Sequence, residues 1–238
     1  MTLVFVRHGQ PDYSTDTLTE KGKKEAAAFA SYWEGKKAAF VYVSPLGRAR
    51  ETASFYEERT GKKAVVLPFL REFSYPVENP GNPFVPWDVY PLDLERHPLL
   101  LDPVHWSEDE ALRKAGIGVK AKDVFDAFDR LLEEHGYWRE RNHYAVLRPN
   151  HETLLFFGHF GVDSLILSHL LNCSPYVLWQ GTVALTSSFT VVTTEERQEG
   201  AASFRIQVLG ATNHLEKAGL SPSFEARFAE CFQDPERH

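Results

Sequence analysis

Two histidines, two arginines and a glutamate stand where the chain leaves apolar runs. Arg7-His8 ends the run Leu3 to Val6, Glu72 follows Lys63 to Leu67, and His159 follows Thr153 to Phe157. Arg48 lies just beyond Ala38 to Val43, after Ser44-Pro45. Short continuous apolar runs of this kind read as strands buried on both faces. In an open parallel sheet, ligands bind in the crevice beyond the carboxyl ends of the strands. The planar guanidinium fork suits phosphate oxygens, and Gly9 permits close backbone approach after His8. A helix opening at Ser44-Pro45 would direct its N-terminus at the same edge, which favours an anion. A neutral histidine among such donors can attack phosphorus, and a nearby carboxyl group can protonate the leaving alkoxide. A lone strand-end histidine is ordinarily a hydrogen-bonded structural residue. Several complementary groups on one edge point instead to phosphoryl transfer with no metal and no cofactor, the arginines supplying the electrostatic stabilisation.

The elements that must position these groups alternate. A helical stretch from Thr19 to Trp33, with Thr17 and Glu20 spaced as a capping box, separates the first two strands. A helix through Arg48, Arg50 and Ala53 separates the second from the third. Such alternation predicts an α/β fold, a three-layer α/β/α arrangement with a mostly parallel central sheet. The rhythm breaks after Glu72. Seven of the fourteen prolines fall between Pro76 and Pro103, which excludes a central strand or a regular helix there. Phe84, Trp87 and Tyr90 make that stretch too aromatic for a solvated linker, so it reads as a packed excursion, followed by a helix from about Ala121 to Glu134. The α/β pattern resumes with Thr153 to Phe157 and a helix from Val162 to Leu171. Strands at Val183 to Thr193 and Phe204 to Leu209 follow, then a tail helix from Ser223 to Phe232 and a frayed end. The organisation expected is a single domain, 1–238, with a cap insertion at about 74–150.

Composition narrows the classes. The 238 residues are 43% hydrophobic and 25% charged, ordinary globular values that exclude disorder and coiled coil. A net charge of −7 argues against a nucleic-acid partner. Cys173 and Cys231 are far apart and in no CxxC pair, which suggests a reducing compartment without disulfides. Met1 to Arg7 lacks the layout of a signal peptide and is too short to span a membrane, so a cytoplasmic protein without membrane partners is expected. His105, His135, His151 and His169 show no metal-ligand spacing. No P-loop, dinucleotide fingerprint or GxSxG is present.

Leu3-Val4-Phe5-Val6-Arg7-His8-Gly9-Gln10 resembles the RHG motif of the histidine phosphatase superfamily, the phosphoglycerate-mutase-like family. Leu18-Thr19-Glu20-Lys21-Gly22 through Ala26 is similar to its LTxxGxxxA helix start, and Ser44-Pro45-Leu46-Gly47-Arg48-Ala49 to its SPLxRA segment. Leu70-Arg71-Glu72 is similar to its acid motif, Gly158-His159-Phe160-Gly161 to its SHGG, and Asn213-His214-Leu215 to its ending. The resemblance covers roughly residues 1–73 and 152–216. It implies that His8 becomes a phosphohistidine, that Arg7, Arg48, His159 and the Phe160 position hold the phosphoryl oxygens, and that Glu72 donates the proton. Two departures stand out. Gly158 and Phe160 replace the serine and first glycine of SHGG. Gln10-Pro11-Asp12-Tyr13-Ser14 replaces the threonine and asparagine that follow RHG, leaving Gln10 and Ser14 as partial substitutes. His214 is evenly balanced between packing and touching the site. Glu140, in Arg139-Glu140-Arg141-Asn142-His143-Tyr144, imitates the acid motif of the glycolytic mutases but lies beyond the insert, where a surface charge is expected.

The resemblance thus implies a phosphomonoester hydrolase acting on a small organic phosphate. The alternatives are a cofactor-dependent phosphoglycerate mutase and a catalytically weak phosphometabolite- or phosphoprotein-binding module. Phe73-Ser74-Tyr75-Pro76 stands in place of the mutases' basic segment, and both His8 and Glu72 are present, so hydrolysis is favoured. Whether the chain forms a homodimer is left open. The insert should roof the site, and its aromatics (Phe84, Trp87, Tyr90, Trp106, Trp138) together with its acidic residues predict a preference for monophosphates with a bulky or apolar leaving group.

Overall fold

The apolar runs form the centre of one sheet. In the computed structural model, which describes residues 1–36, 38–78, 85–223 and 233, β1 (Thr2–Arg7) ends on the strand-end arginine. A small hairpin of β2 (Pro11–Asp12) and β3 (Thr17–Leu18) leads to α1 (Glu20–Trp33), β4 (Phe40–Val43), α2 (Gly47–Thr60) and β5 (Val65–Val66). The 3-10 turn Pro68–Leu70 precedes Glu72. The proline-rich excursion contains α3 (Pro91–Arg96) and leads to α4 (Glu110–Lys114) and α5 (Ile117–Glu134). Then come β6 (Tyr137–Glu140), β7 (His143–Val146), β8 (Thr153–Gly158), α6 (Phe160–Leu171) and α7 (Pro175–Gly181). The described chain closes with β9 (Phe189–Gln198), β10 (Ala201–Ala211) and α8 (Asn213–Lys217).

Eight strands form one mixed sheet in the order β5-β4-β8-β1-β9-β10-β7-β6. The half from β5 to β1 is parallel, and the half from β9 to β6 is antiparallel. Alternation along the strands divides the core into two faces. Val4, Val6, Val41, Val43, Leu155 and Phe157 pack under α1 and α2. Leu3, Phe5, Leu154 and Phe156 pack under α5, α6 and α7. The result is the expected α/β/α layering. The Phe29 ring on α1 meets Trp33, Phe157, Phe189 and His214, and its removal by Phe29→Ala costs about 3–5 kcal/mol.

Register positions the site. Arg7 pairs with Gly158 and Val43 with Phe157, so β1, β4 and β8 end together. Arg7-His8, Ser44 and His159 therefore emerge along one edge. Gly9 and Gly22 let the loop after β1 cross the start of α1. A Cβ on Gly9 would lie 2.5 Å from the Gly22 carbonyl oxygen, and one on Gly22 2.2 Å from that of Gln10.

Several boundaries differ from the sequence expectations. Thr19, not Thr17, caps α1 by accepting from Gly22 N–H, because Thr17 is committed to β3. α2 starts at Gly47 instead of at Ser44-Pro45, since its first N–H is taken by Asp16 Oδ2 at 2.6 Å. Only Val65–Val66 of the third expected strand pairs, at the sheet edge. Val183 to Ser188 approaches the sheet as irregular chain before β9. The β6–β7 hairpin has no counterpart in the sequence reading. Phe84 and nearly all of the expected tail helix, with Cys231 and the frayed end, lie outside the described residues.

Candidate active site

His8 leaves β1 on the face opposite Arg7 and is 2% exposed. Its Nδ1 lies 2.8 Å from the Gly9 carbonyl oxygen, to which it can only donate. That leaves Nε2 as an acceptor, and Arg48 Nε donates to it at 3.3 Å. Burial, then the charges of Arg7 and Arg48, holds the His8 pKa well below the ordinary histidine range, so the ring is neutral. His159, fully buried as the N-cap residue of α6, sits with its ring 5.1 Å from that of His8. Burial and the neighbouring His8, Arg48 and Arg7 lower its pKa likewise. Ser44 Oγ accepts from Leu46 N–H at 3.3 Å and lies 2.7 Å from His159 Nε2. The hydroxyl can donate to Nε2 or accept from it, and the other ring nitrogen, Nδ1, is buried with no partner.

Arg7 donates through Nη1 to the Ala184 carbonyl, and its guanidinium lies 5.9 Å from the centroid of the Phe160 ring. Arg48 is held from the other side by Asp16, whose Oδ1 receives Nη1 at 2.6 Å. Glu72 accepts from the N–H groups of Phe73 at 2.8 Å, Val162 at 3.1 Å and Gly161 at 3.4 Å. Burial nevertheless raises its pKa, against the pull of these donors and of Arg7. The two helix N-termini at this edge are therefore already served by carboxylates: α2 by Asp16, α6 by Glu72. The expectation that the start of α2 is open to an anion is corrected accordingly.

The expected residues separate into two groups. Arg7, His8, Arg48, Glu72, His159 and Phe160 converge on one edge. Gln10, Ser14 and His214 do not join them. Gln10 Oε1 accepts from Thr19 Oγ1 at 3.0 Å, and exposed Ser14 is folded onto Asp12 Oδ1 by its own N–H and hydroxyl. His214 is 1% exposed, 3.2 Å from Ser187 Oγ and packed among Phe29, Tyr32 and Phe189. Glu140 is an exposed residue of β6 beside His143. Of the insert aromatics among the described residues, Trp106 packs on Tyr176 and Trp179, Trp138 and Tyr90 are exposed, and Trp87 reaches the site. A Cβ on Gly161 would lie 2.6 Å from Trp87 Nε1 and 2.7 Å from Glu72 Oε1, so glycine is what allows the indole and the acid to meet there. Asp16, Ser44 and Asp163 escaped the sequence reading of the site: Asp16 is a single acid in a polar loop, Ser44 read as a helix cap, and Asp163 lies in an apolar helix. Among the described residues, no group of three or more His, Cys, Asp or Glu side chains is placed to hold a metal ion, and no helix is long and apolar enough to cross a membrane.

Residues 3–82 match the family model of the histidine phosphatase superfamily (branch 1). No curated protein matches the chain significantly. Among solved structures, phosphoserine phosphatase from Entamoeba histolytica in complex with 3-phosphoglyceric acid is similar at 18% identity and TM-score 0.60, covering 90% of this chain and 98% of that one. The mycobacterial glucosyl-3-phosphoglycerate phosphatase complexed with VO3 is similar at 21% identity and TM-score 0.56, covering 89% and 99%. At such identities the likeness is one of fold.

Proposed function

We propose that this chain, which carries the motifs and the fold of the histidine phosphatase superfamily, hydrolyses small organic phosphomonoesters through a phosphohistidine. The observation that carries the reading is the tautomer of His8: Nδ1 is committed to the Gly9 carbonyl, leaving the Nε2 lone pair on the Arg48 side of a neutral ring. In the first step Nε2 attacks phosphorus, the bond to the ester oxygen breaks, and that oxygen takes the proton of Glu72. In the second, water attacks the phosphohistidine, Glu72 recovers a proton from it, and inorganic phosphate leaves with His8 restored. Arg7 and Arg48, with His159 beside them, take the charge on the phosphoryl oxygens. The solved relatives that are named as phosphatases support the class of reaction.

Hydrolysis is favoured over a mutase by charge. Asp16 is paired with Arg48 at this edge, and its partly exposed carboxylate disfavours a second phosphate on the substrate. The test is a panel of phosphomonoesters, phosphorylated metabolites and bisphosphates included, assayed with and without EDTA. Release of phosphate from monoesters in both conditions is expected. Mutase turnover with no release, or no turnover of any monoester, overturns the proposal.

A further inference from the structure

The mechanism leaves the buried acid of α6 unused. Asp163, in the first turn of α6, is 8% exposed, and its Oδ1 has no hydrogen-bond partner. The reason it sits there lies on the neighbouring strand. Gly158 is the cross-strand partner of Arg7 in the parallel pair β1–β8, so a side chain at 158 would project beside the Arg7 side chain on the same face. Glycine leaves a notch, and Asp163 fills it: a Cβ on Gly158 would lie 2.6 Å from Asp163 Oδ1. Arg7 has a complementary vacancy, since its Nε is buried with no partner while Nη1 is anchored on Ala184. Both side chains line one narrow cavity of about 20 Å³, with Phe160, Ser164 and Ser188 around it. A buried donor and a buried acceptor left unsatisfied are costly, and here the two share a wall of the same cavity. Burial and the nearby Glu72 raise the Asp163 pKa, whereas Arg7 opposes the rise.

We infer that Asp163 is a positioning residue for Arg7: its carboxyl fills the notch left by Gly158 and presents to the guanidinium the polar oxygen that a side chain at 158 would otherwise supply. The inference rests on the reading of this edge as a phosphate site, and it makes positions 158 and 163 a compensating pair. Gly158 has an ordinary extended backbone, so serine is conformationally allowed there once Asp163 is shortened.

Calorimetric titration with inorganic phosphate separates the two ideas, because it needs no turnover. Asp163→Ala, and Asp163→Leu, which keeps the volume in apolar surroundings, are expected to weaken phosphate binding about tenfold through loss of the polar oxygen beside the guanidinium. Gly158→Ser combined with Asp163→Ala is expected to restore binding, and Gly158→Ala combined with Asp163→Ala is not, with melting temperature followed for every variant. Wild-type affinity in Asp163→Leu, or equal recovery by the alanine and serine pairs, overturns the inference while leaving the phosphate site standing. Absence of phosphate binding by the wild-type protein overturns the site itself and the inference with it.

Discussion

Arg48 Nε and His8 Nε2 lie 3.3 Å apart, with the guanidinium donating to a ring nitrogen whose partner, Nδ1, is held by the Gly9 carbonyl. Burial, with the charges of Arg7 and Arg48, keeps the nucleophile neutral, and Arg48 lies beside the position the phosphoryl oxygens take in the proposed reaction. Arg48 can do both because Asp16 fixes its other end.

His8→Ala is expected to lower turnover by roughly a thousandfold or more while leaving the melting temperature close to wild type. Acid-labile phosphate should be trapped on the wild-type protein by rapid quenching. Near-native hydrolysis by the alanine variant removes His8 from the mechanism.

Activity should survive EDTA and dialysis. Arg7 and Arg48 lie beside His8 and supply the positive field that a metal would otherwise provide. Loss of activity on chelation, restored by magnesium or zinc, contradicts this.

Glu72 must carry a proton when the ester bond breaks. Its pKa is raised by burial, so it holds that proton further into the neutral range than an exposed carboxyl group and loses it as pH rises. Turnover is therefore expected to fall on the alkaline side, while the lowered His8 pKa keeps the nucleophile free until pH drops below the ordinary histidine range. Glu72→Gln should cost about 10²–10⁴-fold on alkyl phosphates and far less on nitrophenyl phosphate, whose leaving group needs no proton. Equal losses on both substrates dismiss Glu72 as the acid.

The sheet edge was legible because its residues directly follow apolar runs: the ends of β1, β4 and β8 could be placed from Leu3, Ala38 and Thr153 onward, and register then brings Arg7, Ser44 and His159 together. What escaped is what no local pattern encodes. The β6–β7 hairpin turns on Arg141-Asn142, with Arg141 at φ 52°, where Asn-Gly would have announced a turn. Asp163 lies within an otherwise apolar helix, and its meaning appears only when Gly158 of another element is seen beneath it. Asp16 is one acid in a polar loop until it meets both Arg48 and the start of α2. Gln10 and Ser14 follow from the resemblance as stand-ins for the threonine and asparagine after RHG, but Thr19 and Asp12 offer them nearer partners.

His214 gives a stability prediction with a definite sign. Its pKa is lowered to about 4 by burial, against 6.5 for an exposed ring. Between those values the unfolded chain binds a proton that the folded chain refuses, so this histidine's contribution to stability is intact above pH 6.5 and falls by about 1.4 kcal/mol for each unit of further acidification. Glu25, with its pKa raised by burial, works in the opposite direction. The measurement is therefore a difference: the gap in melting temperature between wild type and His214→Asn should change in the variant's favour as pH drops from 7 to 5. A gap independent of pH places no titrating burden on His214.

The last prediction concerns the leaving group. Trp87 is the described insert aromatic that meets the acid, clamped where its carbonyl accepts from Gln180 Nε2 at 2.6 Å and its indole stands edge-on to Phe160 at 5.7 Å. Its Nε1 is buried without a partner beside Gly161 and Glu72. The indole lies beside the proposed acid, so on the proposed mechanism it favours apolar or planar leaving groups there, while the Asp16 carboxylate disfavours a second phosphate. Trp87→Ala is expected to raise KM for aryl phosphates about tenfold, the worth of an aromatic contact of about 1.4 kcal/mol. KM for small alkyl phosphates should hardly move, and the rate of phosphohistidine formation at saturation should stay near wild type. If both substrate classes lose equally, Trp87 serves only to pack the acid. If bisphosphorylated substrates prove better than aryl monophosphates in the wild-type protein, the insert does not select in this way at all.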